Sequence, residues 1–183
     1  MLVLGPSAIL ALWLSLDVSV HAWVIYYRNQ NTDDGNDIPV TLEQRMNLIF
    51  PGTKWCGSGN VATSPDDLGK FMETDACCRE HDMCSDVIEA GQSNHGLTNP
   101  TFYTRLHCSC DEKFIDCLRR SEDGAGNTVG YFYFNALDTK CFREDYPIVG
   151  CNRWTTFPRR CLEYELDESQ PKKYQWFDVP PYK

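Results

Sequence analysis

All ten cysteines of the 183-residue chain lie between Cys56 and Cys161, and no other feature narrows the possible folds as much. An even, clustered set behind an apolar N-terminal segment reads as a disulfide framework made in an oxidising compartment. Ten cysteines allow about 945 pairings, so their number alone does not give the connectivity.

Residues 2–20, LVLGPSAILALWLSLDVSV, form an apolar run with Asp17 as its only charge, and small Ala22 follows at a plausible cleavage point. Residues 1–22 therefore read as a secretory signal peptide, although the usual positive charge at the start is missing. A membrane anchor is the competing reading; Gly5, Pro6 and Asp17 interrupt a run already near the lower length limit for a span. Residues 23–47 are polar and acidic, without periodicity over their first half, and read as a pro-segment with a cleavage point after Arg45. Its DDGNDI piece lacks the ligand spacing and closing Glu of an EF-hand and reads as a solvated linker. Residues 48–183 then make one domain. Asp and Glu outnumber Lys and Arg by 26 to 17 over the chain and by 21 to 15 from residue 48 onward. That balance gives no electrostatic case for nucleic-acid binding and no global attraction to anionic membranes.

The expected architecture is mainly α with a small β-hairpin region, built on two antiparallel, disulfide-linked helices. Ser64 and Pro65 with two following aspartates resemble a short helix start. TDACCREHDMCSDVIEAG predicts a helix ending at Gly91, and TFYTRLHCSCDEKFIDCLRRSEDG predicts a second that starts after Pro100 and stops near Gly124. The aromatic run YFYFNALDTKCF suits a strand or hairpin, and the proline-rich remainder reads as loops held by Cys141, Cys151 and Cys161.

In the first helix Cys77, His81 and Cys84 fall within roughly 60° of one another, with Cys78 and Asp82 continuing that face on one side. Cys110 and Cys117 repeat the spacing of Cys77 and Cys84. Pairing Cys77 with Cys117 and Cys84 with Cys110 gives the same index sum, 194, the register expected of two antiparallel helices face to face. The approximate two-fold axis of such a pair puts Asp111 on the open side beside His81, about 3 Å away in height. There Asp111 can bond one imidazole nitrogen and leave the other to accept a proton. If Cys78 bonds to Cys56, the loop WCGSG is pinned over Asp82. Carbonyls of Trp55, Gly57 and Gly59 can then join that carboxylate around a hard cation such as Ca²⁺, with the glycines permitting close approach.

WCGSG, DACCREHDMC, CDEKFIDC and YFYFNALDTKC, with HGLTN at 95–99 and KKYQWFD at 172–178, together resemble the secreted phospholipase A2 family of group III, the bee-venom type, from about Leu48 to Lys183. The resemblance implies the phospholipase A2 fold and a calcium-dependent hydrolase of the sn-2 ester of glycerophospholipids, with a venom, digestive or immune role left open. His81 takes the place of the general base, Asp111 of the residue that orients it, and Tyr133 of a supporting hydroxyl. Asp82 with the carbonyls of Trp55, Gly57 and Gly59 takes the place of the Ca²⁺ ligands, and a loop N–H such as that of Gly57 assists at the oxyanion. The family pairing is Cys56 with Cys78, Cys77 with Cys117, Cys84 with Cys110, Cys108 with Cys141 and Cys151 with Cys161. The implied enzyme is secreted, peripheral on a phospholipid membrane and monomeric, with no nucleic-acid partner.

Two features depart from that type. The domain is acidic where bee-type enzymes tend to be basic, and Pro100 blocks the only glycosylation-like sequence, NPT at 99–101. Other readings compete at single residues. His81 could be a buried structural histidine, Asp111 an ordinary helix carboxylate and Tyr133 a core aromatic. His95 and His107 read as structural or exposed. Zinc on Cys78, His81 and Cys84 is disfavoured where thiols are oxidised. Ile49, Phe50, Phe71, Tyr174, Trp176 and Phe177 are candidates for a membrane-seating face or, equally, for packing. A catalytically silent relative that binds a receptor is the alternative function. Such relatives usually lose the histidine or the aspartate that this chain retains.

Overall fold

The computed structural model describes residues 48–137, 139–157 and 159–183; the expected signal peptide and pro-segment lie outside them. Two helices form the centre, α1 (Met72–Asp82) and α2 (Cys108–Arg120), packed against each other and bridged by Cys77–Cys117 and Cys84–Cys110. Helix α2 buries Cys108, Asp111, Phe114, Ile115 and Leu118, a stripe at helical spacing. Its N-cap is His107, whose ring accepts the Ser109 N–H, and Arg119 and Arg120 occupy the last turn, where cations suit the helix dipole.

Helix α1 stops sooner than its spacing suggests. It ends at Asp82, and the Met83 and Cys84 N–H groups bond back to the Arg79 and His81 carbonyls. The chain then turns into β1 (Val87–Ile88), which pairs with β4 (Arg105–Leu106). Cys84 thus sits just beyond the helix, and its bridge ties α2 to the turn that closes α1. Helix α2 also begins later than expected, because residues 101–106 form bends and β4 before His107 caps it. Ser64 and Pro65 start only a turn, closed by the Asp67 N–H on the Ser64 carbonyl.

The first turn of α1 has no cap of its own. Asp123, in the loop after α2, supplies one: its carboxylate accepts the Thr74 N–H (2.9 Å) and hydroxyl (2.6 Å), while Glu73 accepts the Glu122 N–H. Burial works against the charge of Asp123, but these bonds from Thr74 prevail and hold its pKa below the usual value.

The YFYF run is helical, not a strand. Short helix α3 (Gly126–Tyr131) continues into a π-helical turn, Phe132–Ala136, closed by the Leu137 N–H on the Phe132 carbonyl. Two close approaches explain why aromatic propensity loses. A Cβ on Gly126 would lie 2.0 Å from the Ser121 hydroxyl, and one on Gly130 would lie 2.4 Å from the Tyr182 ring. Only glycines let this segment lie so tightly against the end of α2 and the C-terminus. The wider turn then sends Tyr133 toward α2 and Phe134 into the core.

The C-terminal part is mostly strand where loops were expected. Strand β5 (Lys140–Asp145) pairs antiparallel with β8 (Lys173–Asp178), and β6 (Ile148–Trp154) with β7 (Cys161–Leu166). Short β2 (Ser93–Asn94) and β3 (Leu97–Thr98) make a further hairpin. Cys108–Cys141 fastens α2 to β5, and Cys151–Cys161 closes the β6–β7 hairpin. Asp178 joins the two ribbons: it pairs with Lys140 and accepts the Cys161 N–H, while its own N–H donates to the Tyr164 hydroxyl. Helices of 11, 13 and 6 residues therefore stand beside four strands of six or seven. The disulfide-linked helix pair is present, but the described residues are mixed α and β rather than mainly α.

Asp123→Ala should lower the stability of the oxidised protein by about 1 kcal/mol in chemical denaturation, the cost of losing a helix cap. Because the folded pKa of Asp123 is lowered, its contribution is present above the unfolded value of 3.8 and is lost as pH falls through the folded value beneath it. The wild-type and mutant denaturation midpoints should therefore converge in acid.

Candidate active site

His81 lies on the last turn of α1 and Asp111 on the first turn of α2, and the helix packing brings their side chains into contact. Imidazole Nε2 is 2.8 Å from Asp111 Oδ1, with His81 7% and Asp111 1% exposed. A buried carboxylate accepts, so the proton of the neutral ring sits on Nε2. Nδ1 has no hydrogen-bond partner among the described residues and is not sealed from solvent. The ring is clamped by Phe114, stacked at 4.2 Å, and by the edge of Tyr133 at 4.9 Å.

Tyr133 reaches the same carboxylate, its hydroxyl donating to Asp111 Oδ1 at 3.1 Å. Burial, then the charge of Asp111 and that bond, hold the phenol well above its ordinary pKa, so it stays a donor. Two donors meet on Oδ1, and buried Oδ2 has no partner among the described residues. The carboxylate is thus left a strong acceptor for a ring that gains charge.

The WCGSG loop is positioned from two sides. Cys56–Cys78 ties it to α1, with 5.0 Å between the Cα atoms. Asp75, fully buried one turn earlier, accepts the N–H groups of Lys54 (2.9 Å), Trp55 (2.8 Å) and Gly69 (2.7 Å). Lys54 also pairs with Asp67; that bond first, and then those from Thr63, lower the Asp67 pKa to about 2. The indole N–H of Trp55 donates to the Asp67 carbonyl at 3.1 Å. Asp75 is the functional residue that sequence reasoning missed. An acidic residue in a first helical turn looks like an ordinary partner for the helix dipole, and nothing in its spacing shows that it reaches back to hold a loop.

The glycines of WCGSG are required by the backbone. A Cβ on Gly57 would fall 1.9 Å from the Leu48 carbonyl oxygen, and Gly59 has φ +79°. The Gly57 N–H, expected to face the reaction, instead donates to the Trp55 carbonyl at 3.1 Å, while the Gly57 and Gly59 carbonyls take no part in the loop's backbone bonds. Asp82 has an open edge and no ion pair or hydrogen bond among the described residues. Burial of its carboxyl and then the charge of Asp75 push its pKa up to about 7. The Asp82 carboxylate and the Gly57 and Gly59 carbonyls are hard oxygen donors, the kind that a hard divalent ion takes. Among the described residues there is no cluster of three or more His, Cys, Asp or Glu that could hold a metal, so one carboxylate and backbone carbonyls are what the site offers.

Every cysteine is in a disulfide, which removes the zinc reading. His95 bonds Asp86 at 2.8 Å and stacks on Tyr174, while His107 caps α2; neither approaches His81 in any ring contact or hydrogen bond. Of the membrane-seating candidates, Ile49 and Phe177 are buried and Phe50, Phe71, Tyr174 and Trp176 are half-buried packing. No helix among the described residues is long and apolar enough to cross a membrane.

Comparison with known proteins gives the family. A family model described as Phospholipase A2 matches residues 49–145. A phospholipase A2 of Xylocopa appendiculata circumvolans is 54% identical over 173 residues, covering 94% of this chain and 91% of its own. That of Apis mellifera is 48% identical over 173 residues, 94% of this chain and 96% of its own. That of Bombus pensylvanicus is 57% identical over 136 residues, 74% of this chain and all of its own. With a family model over residues 49–145 and relatives this similar over most of the chain, the chain belongs to the phospholipase A2 family, in its bee-type group III branch, and is an enzyme.

Proposed function

We propose that this phospholipase A2 is calcium-dependent and hydrolyses the sn-2 ester of glycerophospholipids, releasing a lysophospholipid and a free fatty acid. The observation that carries the reading is the buried His81–Asp111 bond with Nδ1 left open. At Nδ1 the ring takes a proton from a water that attacks the ester carbonyl, and the same nitrogen returns it to the leaving alkoxide. Asp111 keeps the second proton on Nε2 and stabilises the imidazolium, while the Tyr133 hydroxyl holds the Asp111 carboxylate in place. No protein nucleophile is needed.

Asp82 and the carbonyls of Trp55, Gly57 and Gly59 would hold Ca²⁺, which when bound supplies a Lewis acid for the ester carbonyl and the phosphate. Asp75 sets the loop for this task by fixing the Lys54 and Trp55 backbone. Residues 1–22 serve as a signal peptide and 23–47 as a pro-segment, so the mature enzyme is a secreted monomer that works at a phospholipid surface, in venom or another secretion.

The test is fatty-acid release from the sn-2 position of phosphatidylcholine vesicles, with Ca²⁺ and with chelator. Release only with Ca²⁺ supports the reading, and no Ca²⁺-dependent release by the processed, oxidised protein overturns it. His81→Gln should lower turnover at least about 10²-fold with the fold intact.

Calcium affinity should follow the ionisation of Asp82. Its carboxyl titrates near 7, so the Ca²⁺ dissociation constant should rise about tenfold for each pH unit below that and level off above it, as calorimetry at several pH values would show. Asp75→Asn removes a loop anchor and the charge that adds to burial in raising the Asp82 pKa. Ca²⁺ affinity at alkaline pH should fall about tenfold or more, while the pH midpoint moves down. A role limited to folding would not produce that opposite pair of shifts.

A further inference from the structure

The β6–β7 hairpin tip, residues 151–161, contrasts with the rest of the molecule. Its sequence, CNRWTTFPRRC, has three arginines and no acidic residue in a chain of net charge -9. Trp154 is 47% exposed and Phe157 92% exposed, while Arg153 and Arg159 are also at the surface. Arg159 lies over the Trp154 ring at 4.7 Å and makes no ion pair among the described residues. Arg153 has one exposed carboxylate opposite, Glu163 at 3.5 Å.

The tip is held in place from its root. Cys151–Cys161 closes it, and the Thr155 N–H bonds the Arg160 carbonyl at 2.9 Å while the Arg160 N–H bonds the Thr155 hydroxyl at 2.8 Å. The Arg160 side chain runs inward, 1% exposed, to the carbonyls of Phe134 and Val179. One arginine thus anchors the loop in the core while two aromatics and two arginines face water. Leaving a phenylalanine so exposed has a cost that burial would relieve, and a hairpin fixed at its root gives up less entropy on docking.

We propose that this disulfide-clamped tip is a docking point for an anionic phospholipid bilayer, with Trp154 and Phe157 entering the interface and Arg153 and Arg159 binding lipid phosphates. Charge complementarity selects the partner. Arginine matches phosphate oxygens with its planar fork, tryptophan favours the headgroup level, and a basic group near an anionic leaflet strengthens binding even when the net charge of the protein opposes it. The hairpin shares no residue with the His81 site, so this contact is additional to the binding of the hydrolysed lipid.

The test is sedimentation of the oxidised full chain with vesicles of phosphatidylcholine alone or with phosphatidylserine, in chelator so that hydrolysis plays no part. Binding is then measured whether or not the proposed Ca²⁺-dependent hydrolysis holds. Wild type should partition more strongly onto the phosphatidylserine vesicles, and this preference should shrink with salt. Arg159→Ala should lower partitioning there about fivefold and lower phosphatidylcholine binding by less. Phe157→Ala should lower partitioning about tenfold on the phosphatidylserine vesicles. Both side chains are exposed, so neither variant threatens the fold. Equal uptake by the two vesicle types, or unchanged partitioning of Phe157→Ala, overturns the proposal. Retention on heparin without vesicle uptake also overturns it and assigns the tip to a sulfated glycan.

Discussion

The bond between His81 Nε2 and Asp111 Oδ1 joins two side chains from different helices, and it survives only if those helices hold their register. A slip of one residue along α2 would move Asp111 by about 1.5 Å and rotate it by about 100°, enough to break the contact. Cys77–Cys117 and Cys84–Cys110 oppose that slip on either side of His81. The π-helical turn answers to the same constraint. It delivers Tyr133 to Asp111 and Phe134 to the core from adjacent positions, and two close glycine contacts let it lie near enough to do so.

Asp75 and Asp82 show how one helix gives two aspartates opposite tasks. Asp75 is buried and gives its lone pairs to backbone N–H groups of the loop. Asp82, two turns later, keeps its lone pairs open, and burial of its carboxyl, with the charge of Asp75 second, raises its pKa. The loop that Asp75 holds needs glycine where the Leu48 carbonyl approaches Gly57. Order in the loop and an open carboxylate therefore come from the same short stretch of helix.

Much of this was legible in the sequence because it follows from period and spacing. The matched separations of Cys77 and Cys84 and of Cys110 and Cys117 define two antiparallel rungs, and helical geometry puts His81 and Asp111 on the side they share. What was not legible depends on distant contacts. The end of α1 at Asp82 follows from pairing between β1 and β4, and the cap on Thr74 comes from Asp123, far along the chain. The YFYF run has strand propensity, yet Gly126, Gly130 and the packing of Tyr182 make it helical. The β5–β8 ribbon joins segments with a whole hairpin between them, a pairing that local pattern does not announce. Asp75 was hidden because its residue type and place already had an ordinary explanation.

The central claim is that the buried pair fixes the imidazole with its proton on Nε2 and leaves Nδ1 open as the base. The chain has only four histidines, so nitrogen-15 NMR of the neutral imidazoles can read the His81 tautomer directly, assigned by loss of its signals in His81→Gln. The account predicts a protonated Nε2 and a bare Nδ1 in the wild type, with the preference weakened in Asp111→Ala. A proton on Nδ1 in the wild type, or a tautomer indifferent to Asp111, would contradict it.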